Sequence, residues 1–149
     1  MKTIIAIIAF ITISFHALCQ PIVDANNLIG KWKVKHATLN RELISDDIAD
    51  LVDELEQLSQ GFKGLIFSFF KNKNIEVDIP QDFPDKLKEM FIFIDNRKWK
   101  IDEKGIIQIG DSDVGYNLMG ILLIHKDDRT YFILDETPLQ LEMEKIEEF

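Results

Sequence analysis

The chain has 149 residues, 46% of them hydrophobic and 29% charged, with seven Gly and four Pro. This balance suits one globular domain and excludes a collagen-like, low-complexity or wholly disordered chain. Seventeen basic against 26 acidic residues give a formal net charge of −9. Phosphate binding needs a cationic face, so this balance argues against nucleic acid as the main partner. The single cysteine excludes an internal disulfide and any zinc site built on two or four cysteines.

Met1-Lys2-Thr3 carries one positive charge, and an apolar run from Ile4 to Phe15 follows, broken only by Thr12 and Ser14. Ala17 and Cys19 then supply small residues at −3 and −1 of a cleavage before Gln20. Residues 1–19 therefore read as a signal peptide, and the mature chain is expected to be secreted or periplasmic. The run is shorter than the ~20 residues of a bilayer span, and no later segment approaches it, so no permanent membrane span is expected. A second reading makes Cys19 the lipidated first residue of an anchored lipoprotein. Leu18 just before it and His16 three before it depart from that pattern. Cleavage before Gln20 removes Lys2 and Cys19, leaving a cysteine-free and more acidic chain that its core alone must hold.

One domain is expected over residues 26–146, preceded by a leader at 20–25 and followed by a frayed Glu147-Glu148-Phe149. The first strand spans 31–39. Ser45-Asp46-Asp47 caps a helix over 45–60, with Ile48, Leu51, Val52, Leu55 and Leu58 on one face and Gly61 at its end. Strands at 64–71 and 74–79 follow, the second alternating Ile75, Val77 and Ile79 with Glu76 and Asp78. Pro84 opens a second short helix to Met90, and Phe91 to Ile94 fits either a helix end or a strand start. Trp99 and Ile101 alternate with lysines over 97–102, and Asp102-Glu103-Lys104-Gly105 turns the chain into 105–110. Strands 117–125 and 130–135 flank Lys126-Asp127-Asp128. Pro138 opens the last strand, 139–146, where Leu139, Leu141 and Met143 share a dry face. The fold class is mainly β. Eight sequential antiparallel strands, most of them joined by hairpins, close into an up-and-down β-barrel with one amphipathic helix in the first loop.

Gly30-Lys31-Trp32, at the head of the first strand, resembles the Gly-x-Trp signature of the lipocalins, especially the small exported bacterial lipocalin-like proteins. The resemblance implies that Gly30 lets the chain into the barrel tightly and that Trp32 plugs its closed end. It also implies binding of a small apolar or amphipathic molecule. Three features depart from the family pattern. The last strand offers Lys145 where lipocalins place an Arg across the Trp, Arg129-Thr130-Tyr131 is at best a remnant of a Thr-Asp-Tyr motif, and the helix over 45–60 is large for the first loop.

If Trp32 faces inward, strict alternation brings His36 to the cavity as well. Trp99 and Tyr131 complete the expected ligand-lining set, Tyr116 is a further polar handle, and the 45–60 helix is the expected lid. Leu65–Phe70 and Leu118–Ile124 are apolar on both faces, so either the helix covers their outer side and the chain is a monomer, or a second copy does so in a dimer. Two mature histidines, His36 and His125, with no cysteine, no Gly-x-Ser-x-Gly, no phosphate loop and no His-Glu-x-x-His point away from an enzyme. A hydrolase built on acidic residues is the alternative. Asp111-Ser112-Asp113 lacks the Gly and distal Glu of a calcium loop, so no metal site and no cofactor are expected. The rival to a ligand carrier is an extracytoplasmic protein-interaction module whose barrel is filled. A void well under ~300 Å3, occupied by Phe67, Phe69 and Leu122, would favour the rival.

Overall fold

The computed structural model describes residues 23–44 and 52–149. The signal segment and residues 45–51, including Ile48 and Leu51 of the expected lid, lie outside the described residues. Eight antiparallel strands form one sheet: β1 (Gly30–Leu39), β2 (Ile66–Phe69), β3 (Ile75–Asp78), β4 (Lys98–Ile101), β5 (Ile106–Gly110), β6 (Met119–Lys126), β7 (Arg129–Leu134) and β8 (Leu139–Glu147). Their order is β3-β2-β1-β8-β7-β6-β5-β4. The two outer strands meet at an Asn74–Lys98 bridge, helped by backbone bonds from Ile75 N to Arg97 O (2.9 Å) and Trp99 N to Lys73 O (2.8 Å). The sheet is therefore a nearly closed barrel, and the first and last strands pair along its wall.

Alternation selects the inside. Trp32 and Val34, Phe67 and Phe69, Ile75 and Val77, Trp99, Ile107 and Ile109, Ile121 and Leu123, Phe132 and Leu134, and Leu139, Leu141 and Met143 are all buried. Their strand neighbours are mostly polar or charged and face water. Five of these rings form a continuous column. Phe132 meets Trp32 at 5.5 Å between ring centroids, Phe67 at 6.0 Å and Phe69 at 6.1 Å, and Phe69 meets Trp99 edge-on at 5.7 Å. Each such pair adds about 0.5–1.5 kcal/mol beyond its buried area.

Helices and their neighbours pack at each end. At the Trp32 end, α1 (Ala25–Leu28) places the fully buried Leu28 against the barrel, and Trp32 Nε1 donates to the Leu28 carbonyl at 2.8 Å. At the opposite end, which we call the mouth, α2 (Val52–Gln60) packs on β1. Helix α3 (Asp85–Ile94) brings the chain back from β3 to β4. Phe62, Phe83 and Phe91 meet pairwise with centroids 5.6 Å apart, and Phe91 reaches Phe67 of the column at 5.9 Å. Phe91 to Ile94 is thus the last turn of a helix. Phe91 and Ile94 face in while Ile92 and Phe93 face out, the three-residue spacing of a helix rather than the two of a strand.

The C-terminus is not frayed. β8 continues to Glu147, whose carboxylate bonds Lys31 at 2.9 Å and raises that ammonium's pKa. Phe149 stacks on Phe70 at 4.8 Å with nearly parallel planes, so the final residue shields apolar surface next to β2.

The first turn of α3 carries a pH-dependent contact. Lys88 Nζ donates to Asp85 at 2.7 Å, and this bond with the lysine's charge holds the Asp85 carboxyl below its ordinary range. A depressed acid stabilises the fold above its unfolded pKa, and that contribution is lost as pH falls through the folded value. A titration of Asp85 followed by NMR is expected to show a midpoint below that of a free aspartate. Lys88→Met should return it to the ordinary range with little change in stability, because Asp85 is 94% exposed. A midpoint unmoved by the substitution would contradict the assignment.

Candidate functional site

The three residues expected to line a central cup are not brought together. Strict alternation fails in β1 because the register with β8 shifts between Val34 and His36. Val34 pairs with Met143, yet His36 pairs with Glu142 and Ala37 with Leu141. One extra residue at this β-bulge moves every later side chain to the other face. Ala37 and Leu39 pack on the core, whereas His36 is exposed on the outer wall. Tyr131 departs from the expected lining for a different reason. Phe132 and Leu134 point inward, so Tyr131 stands outside, opposite Glu142 and Ile124.

Trp99 does face inward, at 1% exposure, but it serves the wall. Its Nε1 donates to the Asn74 carbonyl at 3.0 Å, and Lys73 Nζ lies 3.9 Å above the ring, so the indole pins the β3–β4 seam. Gly30 and the buried Trp32 lie at the head of β1. Gly30 has φ 133°, and a Cβ there would run into the Glu147 carbonyl. Lys145 holds its ammonium 5.5 Å from the Trp32 ring centre while donating to Asn27 O at 3.0 Å. A cation thus covers this tryptophan without the planar group of an arginine. Val52 and Leu55, the described part of the expected lid, are half-buried in α2. It is α3 that places a fully buried ring at the mouth.

Among the described residues a column of touching rings occupies the centre of the barrel. Of the three residues named for a filled interior, Phe67 and Phe69 point inward, but Leu122 stands half-buried on the outside, and Phe132 takes the central position. Two hollows lie at the ends. A hollow of about 310 Å3 at the Trp32 end is lined by Val23, Leu28, Trp32 and Leu123 with Asp24, Asn27 and His125 at its polar edge. A larger one of about 430 Å3 opens at the mouth. Both lie within the range of small-ligand sites.

The mouth groove is built from four segments. Met90 comes from α3, Ile106 and Gln108 from β5, Tyr116, Leu118 and Met119 from the β5–β6 connection and the first residue of β6, and Asp135 and Glu136 from the β7–β8 corner. Backbone geometry fixes the last two segments. Tyr116 (φ 57°) and Glu136 (φ 60°) both occupy the left-handed region, which is costly for residues with a Cβ. Gly110, packed against the Tyr116 backbone, leaves no room for a side chain. Arg97 ties the end of α3 to this loop through a 2.6 Å ion pair with Asp111, which engages one carboxylate of Asp111-Ser112-Asp113. Tyr116 carries Lys100 Nζ 4.6 Å from its ring centre. Beside the groove, α3 leaves Ile92 and Phe93 61% and 63% exposed.

Sequence reasoning reached Tyr116 as a polar handle but missed the groove around it. Leu87, Phe91 and Ile94 at helical spacing already marked an inner face for α3, leaving Met90 and Phe93 on the outer one.

No protein-family model, curated protein or solved structure matches the chain. The chain is an eight-stranded antiparallel up-and-down barrel, an architecture compatible with ligand binding and consistent with a lipocalin-like fold. Among the described residues no helix is long and apolar enough to cross a membrane.

Proposed function

We propose that this chain is an exported binding protein that engages a protein partner at the barrel mouth, and that its interior serves stability alone. The observation that carries this reading is the ring column of Trp32, Phe132, Phe67, Phe69 and Trp99, which occupies the space where a carrier would hold its cargo. Export rests on the signal pattern of residues 1–19, with cleavage before Gln20. Action by binding rather than catalysis is supported by the separation of the two mature histidines, His36 on the outer wall and His125 at the Trp32 end, both away from the mouth.

A second reading, a small amphipathic ligand, is favoured by the 430 Å3 volume of the mouth groove. Native mass spectrometry of the protein purified from its own host separates the two. The expected spectrum shows a mature chain beginning at Gln20, without a retained small molecule and with a stoichiometric protein partner. A stoichiometric lipid or pigment would overturn the protein-partner reading, and a chain still carrying residues 1–19 would overturn export.

A further inference from the structure

The mouth groove joins an apolar floor to an acidic edge. Met90, Leu118 and Met119 supply the floor, and Asp135 and Glu136 the edge. No basic side chain lines it, and among the described residues neither carboxylate is ion-paired. Lysines and arginines elsewhere on the barrel are often matched to carboxylates, as at Lys31–Glu147, Arg41–Glu56 and Lys86–Glu54. The nearby cation, Lys100, lies over the Tyr116 ring, and Arg97 is held by Asp111. Lys100 keeps its charge beside that ring, but the two unpaired carboxylates outnumber it, so the occupant that complements this edge has an apolar body and a cationic end.

The surface also extends past the groove. Phe93 lies three residues beyond Met90, on the same side of α3, and is 63% exposed. A groove of about 430 Å3 accepts one or two side chains, and the exposed helix face gives the rest of a polypeptide a place to lie. Resting on the mouth-binding reading above, we propose that the groove and the outer face of α3 dock a partner-protein segment that presents a Lys or Arg beside apolar side chains. The cationic group pairs with Asp135 and Glu136, and the apolar side chains cover Met90, Leu118 and Phe93. A second copy of this acidic chain, or an anionic lipid surface, lacks that complementarity.

The test titrates the mature protein with a short peptide of Leu, Phe and two Lys residues, and with its Glu-for-Lys counterpart, followed by amide NMR shifts and fluorescence anisotropy. The Lys peptide is expected to shift Met90, Tyr116, Leu118 and Glu136, and to bind more weakly as salt rises. Affinity should fall about tenfold in the Asp135→Asn, Glu136→Gln double variant, whose two exposed sites leave the core untouched. Met90→Ser, at a surface position, should weaken binding without altering the fold. Equal binding of the Glu peptide, self-association at the same face, or uptake of phosphatidylglycerol vesicles in preference to the peptide would overturn the cationic-segment proposal while leaving the mouth as the binding face. Shifts confined to the Trp32 and Trp99 indole signals would overturn both.

Discussion

Phe132→Ala is expected to cost about 3–5 kcal/mol of stability, the usual range for deleting a fully buried ring. Phe132 is 0% exposed and touches Trp32, Phe67 and Phe69, so neighbours on three sides would have to collapse to fill the gap. Three of those neighbours are large rings held in opposing strands, and the barrel wall restrains them from moving inward. For a chain of this size the loss corresponds to a fall in melting temperature on the order of 10 °C. The resulting cavity should stay dry and take up benzene, as apolar cavities of this kind do. Leu122→Ala, one strand away but on the outer side, should cost far less. Thermal unfolding of the two variants checks the expectation, and equal losses would mean that Phe132 does not occupy the centre of a packed interior.

Gly30→Ala carries the second large effect. Two costs coincide at this position. Its φ of 133° is open to glycine and strained for any other residue, and the added Cβ meets the Glu147 carbonyl and the Lys145 side chain. The expected loss is about 2–4 kcal/mol from backbone strain together with overpacking. Gly105→Ala is the matched control, because Gly105 also has positive φ (81°) but a Cβ there meets nothing within 4 Å. Its cost should be confined to strain, about 1 kcal/mol. Chemical denaturation of the pair distinguishes the two. A Gly30 variant no less stable than the Gly105 variant would contradict the close passage of β1 along the end of β8.

Much of the wall was readable from alternation because burial on one side imposes a period of two. Leu139, Leu141 and Met143 of β8, Ile75 and Val77 of β3, and Trp99 of β4 all face the interior as their spacing demands. His36 could not be placed that way. The bulge before it exists only as a mismatch with β8, more than a hundred residues further along, and leaves no local signal. Tyr131 was readable, since Phe132 and Leu134 already claim the inner face of β7. The apolar run from Phe91 to Ile94 hides its helical period within four consecutive hydrophobic residues, and Leu87 had to be included to expose it. The mouth groove was beyond local reading altogether. Its floor and edge come from a helix, a strand, a loop and a hairpin corner that only barrel closure brings together. The C-terminal Phe149 illustrates the same limit, because its stacking partner Phe70 lies on the far side of the sequence.

If the protein's own side chains fill the interior, a ligand binds outside it. Xenon-pressurised crystals of the mature protein test this most directly, since xenon enters apolar cavities without changing their lining. No xenon is expected among Trp32, Phe67, Phe69, Trp99 and Phe132 in the native protein, and a site is expected at the vacated position in Phe132→Ala. Xenon within the native column would contradict a filled interior and restore the barrel interior as the place where cargo is held.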